Sequence, residues 1–353
     1  MPPSDSAGAA LVFASEVLPS GSVRQPWLNV LANGTALTAA TEACVWSAGY
    51  FSADRFRVSA ALTGNAAQWA AETSVFIDVQ MGLSPSGPLV SLIQGNADSI
   101  EIDPISGGVT IEGRDLSAQL IEARAQDTFA NRTSSEIATI LAGRYGLTAD
   151  VQPTTTPVGR YWELEHDSLT LNVAGKATTE WDLLVTLARH EAFDLWISGS
   201  TLHFRAPSSA ISPIVVPVSS LMSLRLERLL TFANDIVVTV KSWHSRAGSG
   251  CTQTARTSRG SANSREYVYV LPNLTQESAL TYAQNALNEL TQHELVVNLE
   301  MPGELVLTPR MMVQLQGTGT IFDTVLRIDE VERRLHATRG FVQRVRARAA
   351  SAE

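Results

Sequence analysis

The chain has two lysines, two cysteines and no run of about 18 apolar residues, and the last two shortages each close off a class of protein. Cys44 and Cys251 lie far apart and supply neither a disulfide framework nor a cysteine metal site, so buried or free thiols are expected. Without a long apolar run, no segment is expected to insert in a membrane. The opening stretch MPPSDSAGAALVFASEVLPSG lacks a basic leading region and Glu16 breaks its apolar run, so no signal peptide is expected. The Asn-x-Thr triplets at Asn33, Asn131 and Asn273 are then chance matches.

Catalytic signatures are missing too. Gly175-Lys176 lacks the upstream glycine and the following hydroxyl of a phosphate loop. His190-Glu191 resembles half of a zinc-protease motif, but the second histidine position holds Asp194. Gly317-x-Gly319 lacks a third glycine and leads into a strand, which makes it a turn. Glu163, Glu165 and Asp167 could include an acid and base pair for sugar cleavage, yet alternation puts all three on one strand face, where a solvated surface is the plainer reading. No catalytic, cofactor-binding or metal-ligating residue is assigned, and the chain is not expected to be an enzyme.

The charge that is present is unevenly placed. Before Asp98 there are 6 acidic and 3 basic residues, from Asp98 to Asp194 16 and 7, and beyond that 13 and 16. An acidic middle argues against a groove that grips nucleic-acid phosphates.

Residues 1–23 are polar and small and read as a flexible arm, with Leu11 to Phe13 as a possible docking strand. Residues 24–112 read as short strands and turns, including Asn33-Gly34, the alternating Arg55 to Ala60, and a hairpin turning at Pro104 to Gly108. In 113–212 the chain turns at Gly113-Arg114-Asp115, where Asp115 can accept the free amides of a short helix. Thr133-Ser-Ser-Glu136 has capping-box spacing for a second helix burying Ile137, Ile140 and Leu141, and Thr179 caps a third whose Trp181, Leu184, Val185 and Ala188 share a face. In 213–353 strands return. Asp235 to Val240 and Glu266 to Val270 look like hairpin arms joined by a long exposed loop, Ser245 to Ser264. The clearest helix opens at Thr275, with small Ala279 and Ala283 on its inner side. Arg246, Arg256 and Arg259 on the loop, and Arg344, Arg346 and Arg348 along the last strand, are the candidate interface residues.

Three stretches together resemble the bacteriophage tail or baseplate hub proteins, the family of the Mu-type hub, the late control D proteins and, more distantly, the T4-type hub. They are VTIEGRDLSAQLIEA (109–123), NRTSSEIATILAGRYGL with TTEWDLLVTLARHEAFDLWISGSTLHF (178–204), and the Ala-rich helix from Thr275 followed by LVVNLEMPGELVLTPRMMVQL and the strands ending near Arg348. The resemblance implies an α+β, mainly β chain: two tube-type β-barrel domains, 24–112 and 213–353, bracketing a small α/β insert domain, 113–212. It further implies a structural virion protein at the tail tip, assembled in the host cytoplasm as a homotrimer. That trimer would join a hexameric tail tube, or distal tail protein, to a trimeric central spike. Other baseplate proteins and the tape measure protein are implied neighbours, no cofactor is implied, and DNA would pass through the lumen without specific binding. No β-helix repeat follows Arg348, so a separate spike protein is expected. Two alternatives stay open: a tail-associated peptidoglycan hydrolase using Glu163 and Glu165, and the hub of a contractile injection system or gene-transfer particle.

Overall fold

Alternation of apolar and polar residues sets most of the strands. The computed structural model describes residues 24–350 except 38, 50, 63–65, 85–86, 159, 163–166, 171–177, 209–211, 245–248, 259–263 and 272–273; of 160–162, 167–170 and 244 it describes the backbone alone. The expected arm 1–23, Gly175-Lys176, Glu163 and Glu165 lie outside the described residues.

The first portion runs β1 (Trp27–Ala32), β2 (Thr35–Ala36), β3 (Ala40–Ala48), β4 (Arg55–Ala61), α1 (Ala66–Ala71), β5 (Phe76–Gly82), β6 (Val90–Asp103) and β7 (Gly108–Asp115). The middle follows with α2 (Ser117–Glu122), β8 (Phe129–Ala130), α3 (Ser134–Arg144), β9 (Thr148–Val151), β10 (Arg160–Trp162), β11 (Asp167–Thr170), α4 (Glu180–Glu191), β12 (Asp194–Ser198) and β13 (Thr201–Arg205). The last portion holds β14 (Ile214–Pro217), β15 (Ser223–Arg228), α5 (Leu230–Ala233), β16 (Asp235–His244), β17 (Ser249–Arg256), β18 (Ser264–Val270), α6 (Gln276–Gln292), β19 (Leu295–Pro302), β20 (Met312–Gln316), β21 (Val325–His336) and β22 (Gly340–Ala349). The architecture is mainly β with an α/β middle, as the alternation and capping signals predict.

A single sheet of 13 strands passes through both β-rich portions, in the order β15-β19-β22-β21-β3-β4-β7-β6-β5-β1-β2, with β20 and then β14 branching from β21. The seam is β3 on β21, antiparallel from Glu42 opposite His336 to Ala48 opposite Glu330. In β4, Phe56, Val58 and Ala60 point inward while Arg55 and Arg57 point out. The first core gathers Phe56, Ile77, Met81 and Ile111, and it takes Leu335 and Phe341 from the last two strands. A second core of Val297, Leu299, Leu315, Leu326 and Val345 lies under the C-terminal strands. The first and last β-rich portions therefore share one core.

Where β6 crosses β7 the backbones nearly touch. A Cβ on Gly113 would lie 2.5 Å from Phe56 Cζ and closer still to the carbonyl oxygen of Asn96. Gly113→Ala is therefore expected to cost about 3 kcal/mol through overpacking, read as a lower denaturant midpoint at unchanged m. An unchanged midpoint would show that the strands separate freely.

The middle portion is set by its caps. Thr133 accepts the Glu136 amide at 3.3 Å while the Glu136 carboxylate accepts the Thr133 amide at 3.1 Å; Thr179 and Asp182 repeat the arrangement at 3.1 and 3.2 Å. Asp115 accepts the Ser117 amide at 3.1 Å, but β7 runs straight through Gly113 to Asp115, so the expected turn at Gly113 is absent. In α3 the buried face is Ile137, Ala138, Leu141 and Ala142. Ile140, expected inside, is 39% exposed because the face is rotated toward the two alanines. With Trp181, Leu184 and Leu187 of α4 these side chains pack on the small sheet β12-β13-β9.

One expectation fails in the last portion. The segment read as a long loop contains β17, and β16 pairs antiparallel with β17 on one side and parallel with β18 on the other. Asp235 to Val240 and Glu266 to Val270 are thus parallel neighbours, not hairpin arms. The helix α6 covers one face of this three-stranded sheet through Ala279 and Ala283, whose small side chains let it sit close to Ile236, Val238 and Val240.

Candidate assembly surface and the joint behind it

Along the seam, alternation turns a row of charged residues outward. Arg344 reaches Glu300 at 2.9 Å and Glu332 at 3.7 Å; Arg334 reaches Glu332 at 3.5 Å and Glu42 at 3.6 Å; Arg57 reaches Glu112 at 3.4 Å. Exposed pairs of this kind contribute a few tenths of a kcal/mol each, so they set the character of the surface rather than stability. The face is a mosaic in which most arginines already answer a carboxylate.

Arg344 and Arg346 are exposed on one face of β22, as the alternation of the strand predicts. Arg348 is not: it is 4% exposed, paired with Asp329, and within 2.9 Å of His293 Nε2. The expected row of three is a row of two, because the unit built on α6 packs over the end of β22. Arg256 is exposed at the end of β17. Arg246 and Arg259 lie outside the described residues.

Behind the surface, the middle portion is fastened to both β-rich portions by charged and aromatic groups. Arg327 of β21 donates to both carboxylate oxygens of Asp194, at 2.6 and 2.7 Å, each side chain only 16% exposed. Arg310 has φ +73°, a left-handed backbone position that a non-glycine residue takes only where its surroundings hold it there. Its guanidinium lies 4.3 Å over the Trp196 ring and donates to the Ala48 carbonyl at 3.3 Å. Trp196 stacks in turn on His203, whose ring nitrogen meets Asp150 at 2.6 Å. Trp181 donates to the Phe51 carbonyl at 2.8 Å.

A polar cavity of about 210 Å³ sits at this joint, lined by Asp54, Asp115, Gln94, Trp196, Arg310 and Arg333 among others. Burial pushes the Asp54 carboxyl up to about 7, with the nearby Asp115 adding to the rise, and burial pushes Asp115 up to about 6. Burial also lowers Arg310 and Arg333 to about 10, which leaves both protonated at neutral pH. Each group is already used structurally. Asp54 accepts the Ala48 amide at 2.7 Å, Asp115 holds the start of α2, and Arg333 donates to the Glu304 carbonyl at 3.0 Å and to that of Leu307. Such a cluster can hold three portions of chain in register. Sequence reading placed Asp115 at the start of a helix but missed the cluster, since isolated Asp and Arg look like surface residues. Among the described residues no group of three or more His, Cys, Asp or Glu could hold a metal ion.

No family model and no curated protein matches the sequence. Solved structures do match the fold. A tail protein from Neisseria meningitidis MC58 superposes with a TM-score of 0.72 at 14% identity, covering 92% of this chain and 96% of that one. The 43 kDa tail protein of prophage MuSo2 from Shewanella oneidensis gives 0.70 at 14% identity, covering 92% and 98%. A type VI secretion system component from E. coli, described as structurally similar to T4 bacteriophage tail proteins gp27 and gp5, gives 0.59 at 10% identity, covering 92% and 77%. Architecture, not shared residues, carries the likeness, and by that measure this chain has the fold of bacteriophage tail proteins.

Proposed function

We propose that the chain is the structural subunit of a tail hub, a homotrimer that joins a hexameric tail tube to a trimeric central spike at the tail tip. The observation that carries this reading is the 13-stranded sheet, in which two β-rich portions of one chain lie edge to edge across the β3–β21 seam. Three copies of a chain with two such units present six, the symmetry match that a hexameric tube requires. In this reading 24–112 and 213–353 are the tube-type barrels and 113–212 is the insert between them. Tail tube or distal tail protein, spike, baseplate neighbours and tape measure protein are the partners. The paired charges on the sheet face support a wall past which DNA can move, because tight phosphate binding needs clustered, uncompensated Lys and Arg.

The mass in solution tests it. Light scattering on a sizing column is expected to give three times 38.0 kDa, with a central channel visible by electron microscopy. A monomer at every concentration tried would sink the trimer. A second reading, the hub of a secretion-type injection machine, is supported by the likeness to the E. coli type VI component. Identifying the proteins that co-purify from the native host separates the two. No described residue favours the cell-wall hydrolase alternative, which turnover on purified peptidoglycan would revive.

A further inference from the structure

The three-stranded sheet β17-β16-β18 is covered by α6 on one face and open on the other, where Trp243 is 60%, Val268 49% and Val270 75% exposed. Both of its outer strands are edges: among the described residues β17 and β18 pair with β16 and with no other strand. Protein edges are normally blunted by proline, charge or very short strands. The edge strand β15 of the large sheet follows that rule, with Arg225, Glu227 and Arg228 in six residues. By contrast β18 reads Ser-Arg-Glu-Tyr-Val-Tyr-Val: its two charges, Arg265 and Glu266, lie in the first half, and the second half, Tyr-Val-Tyr-Val, has high strand propensity with no proline and no charge. Nothing in that half prevents another strand from adding to it.

We propose that β17 of one copy pairs with β18 of the next, joining the small sheets of neighbouring subunits head to tail. Polarity permits it. Since β17 runs antiparallel and β18 parallel to β16, the two edges point in opposite directions, and copies set side by side in the same orientation meet as an antiparallel ladder. Such a contact is heterologous, and where its rotation closes it generates a ring.

The residues fix a register. On the open face β17 presents Thr252, Thr254 and Arg256, and β18 presents Glu266, Val268 and Val270. Placing Arg256 opposite Glu266 of the neighbour puts Thr254 opposite Val268 and Thr252 opposite Val270. All three pairs then share one face, and the charged pair is of opposite sign. Slipping by one residue would set Arg256 against Arg265 and turn the open faces apart. The proposal rests on the ring reading above and supplies one of its contacts.

The test is a crosslink. In a Cys251→Ser background, Thr254→Cys and Val268→Cys are combined, both at exposed positions. Opposed residues of an antiparallel pair stand roughly 4.5–5.5 Å apart at Cα, within disulfide reach. Within one chain the two strands flank β16, at roughly twice the 4.8 Å strand spacing, and cannot be bridged. Oxidised double variant is expected to run as covalent dimers and trimers on a non-reducing gel, with neither single variant doing so. An oligomer of unchanged mass without a crosslink overturns the edge pairing and leaves the ring standing; a monomer without a crosslink overturns both. Crosslinking by Val268→Cys alone would mean two-fold pairing of β18 with itself and would overturn the head-to-tail arrangement.

Discussion

Asp194→Ala is expected to lower stability by about 3–5 kcal/mol, the typical cost of leaving a buried charge without its partner. Arg327 is held by both oxygens of Asp194 and has Arg310 nearby, so removing the carboxylate leaves two guanidiniums close together in a crowded joint. Because Asp194 opens β12, the loss falls on the attachment of the middle portion. Urea unfolding followed by tryptophan fluorescence reads the total. Limited proteolysis shows whether 113–212 is released first. The double change Asp194→Leu with Arg327→Met removes both charges and is expected to recover most of the loss, since an apolar pair avoids the desolvation cost of the ion pair. A single variant within about 1 kcal/mol of the parent would mean that water reaches Arg327, in conflict with its burial.

The second large effect is one of pH. Asp54 ionises near 3.8 in the unfolded chain and holds its proton up to about 7 in the fold, so between those values the native state binds more protons than the unfolded one. Its contribution to stability is therefore fully present below about pH 4 and is lost as pH rises toward 7; Asp115 behaves in the same way up to about 6. Asp115, Arg310 and Arg333 are the charged groups that face Asp54, and the two arginines stay protonated across this range. Asp54→Asn keeps an acceptor for the Ala48 amide and removes the charge. It is expected to flatten the decline and to be more stable than the parent at pH 8 by on the order of 2 kcal/mol. Urea midpoints at pH 5 and pH 8 decide the matter: parallel profiles for parent and variant would show that Asp54 is ionised in the fold.

What could be read beforehand was local. The capping box at Thr133, the cap at Thr179, the Asn33-Gly34 turn and α6 with its alanines each announce themselves within a few residues, because hydroxyl-to-amide bonds and helical spacing are short-range facts. The strand β17 was invisible because only Cys251 and Ala255 among its alternating residues carry apolar character, too faint a signal among threonines and glutamine. The parallel partner of β16 and the β3–β21 seam depend on which distant edges meet, which no window of sequence contains. The joint escaped for a related reason: Asp54, Asp194, Arg310 and Arg327 acquire meaning only when the fold brings them together. The arginines named as interface candidates divide on the same ground. Arg344 and Arg346 followed from alternation, while Arg348 was lost to a packing contact from another unit.

The seam also imposes an order of events during synthesis. The outer edge of β3 is complete once residue 48 has been made, yet its partner β21 ends at His336. At ribosomal speeds of about 5–20 residues per second, roughly 15–60 s separate the two. Through that interval the nascent chain carries a strand open along one edge and a first core still missing Leu335 and Phe341. A product cut short before β21 never closes that core, so translation has to pass His336 before the sheet can be completed.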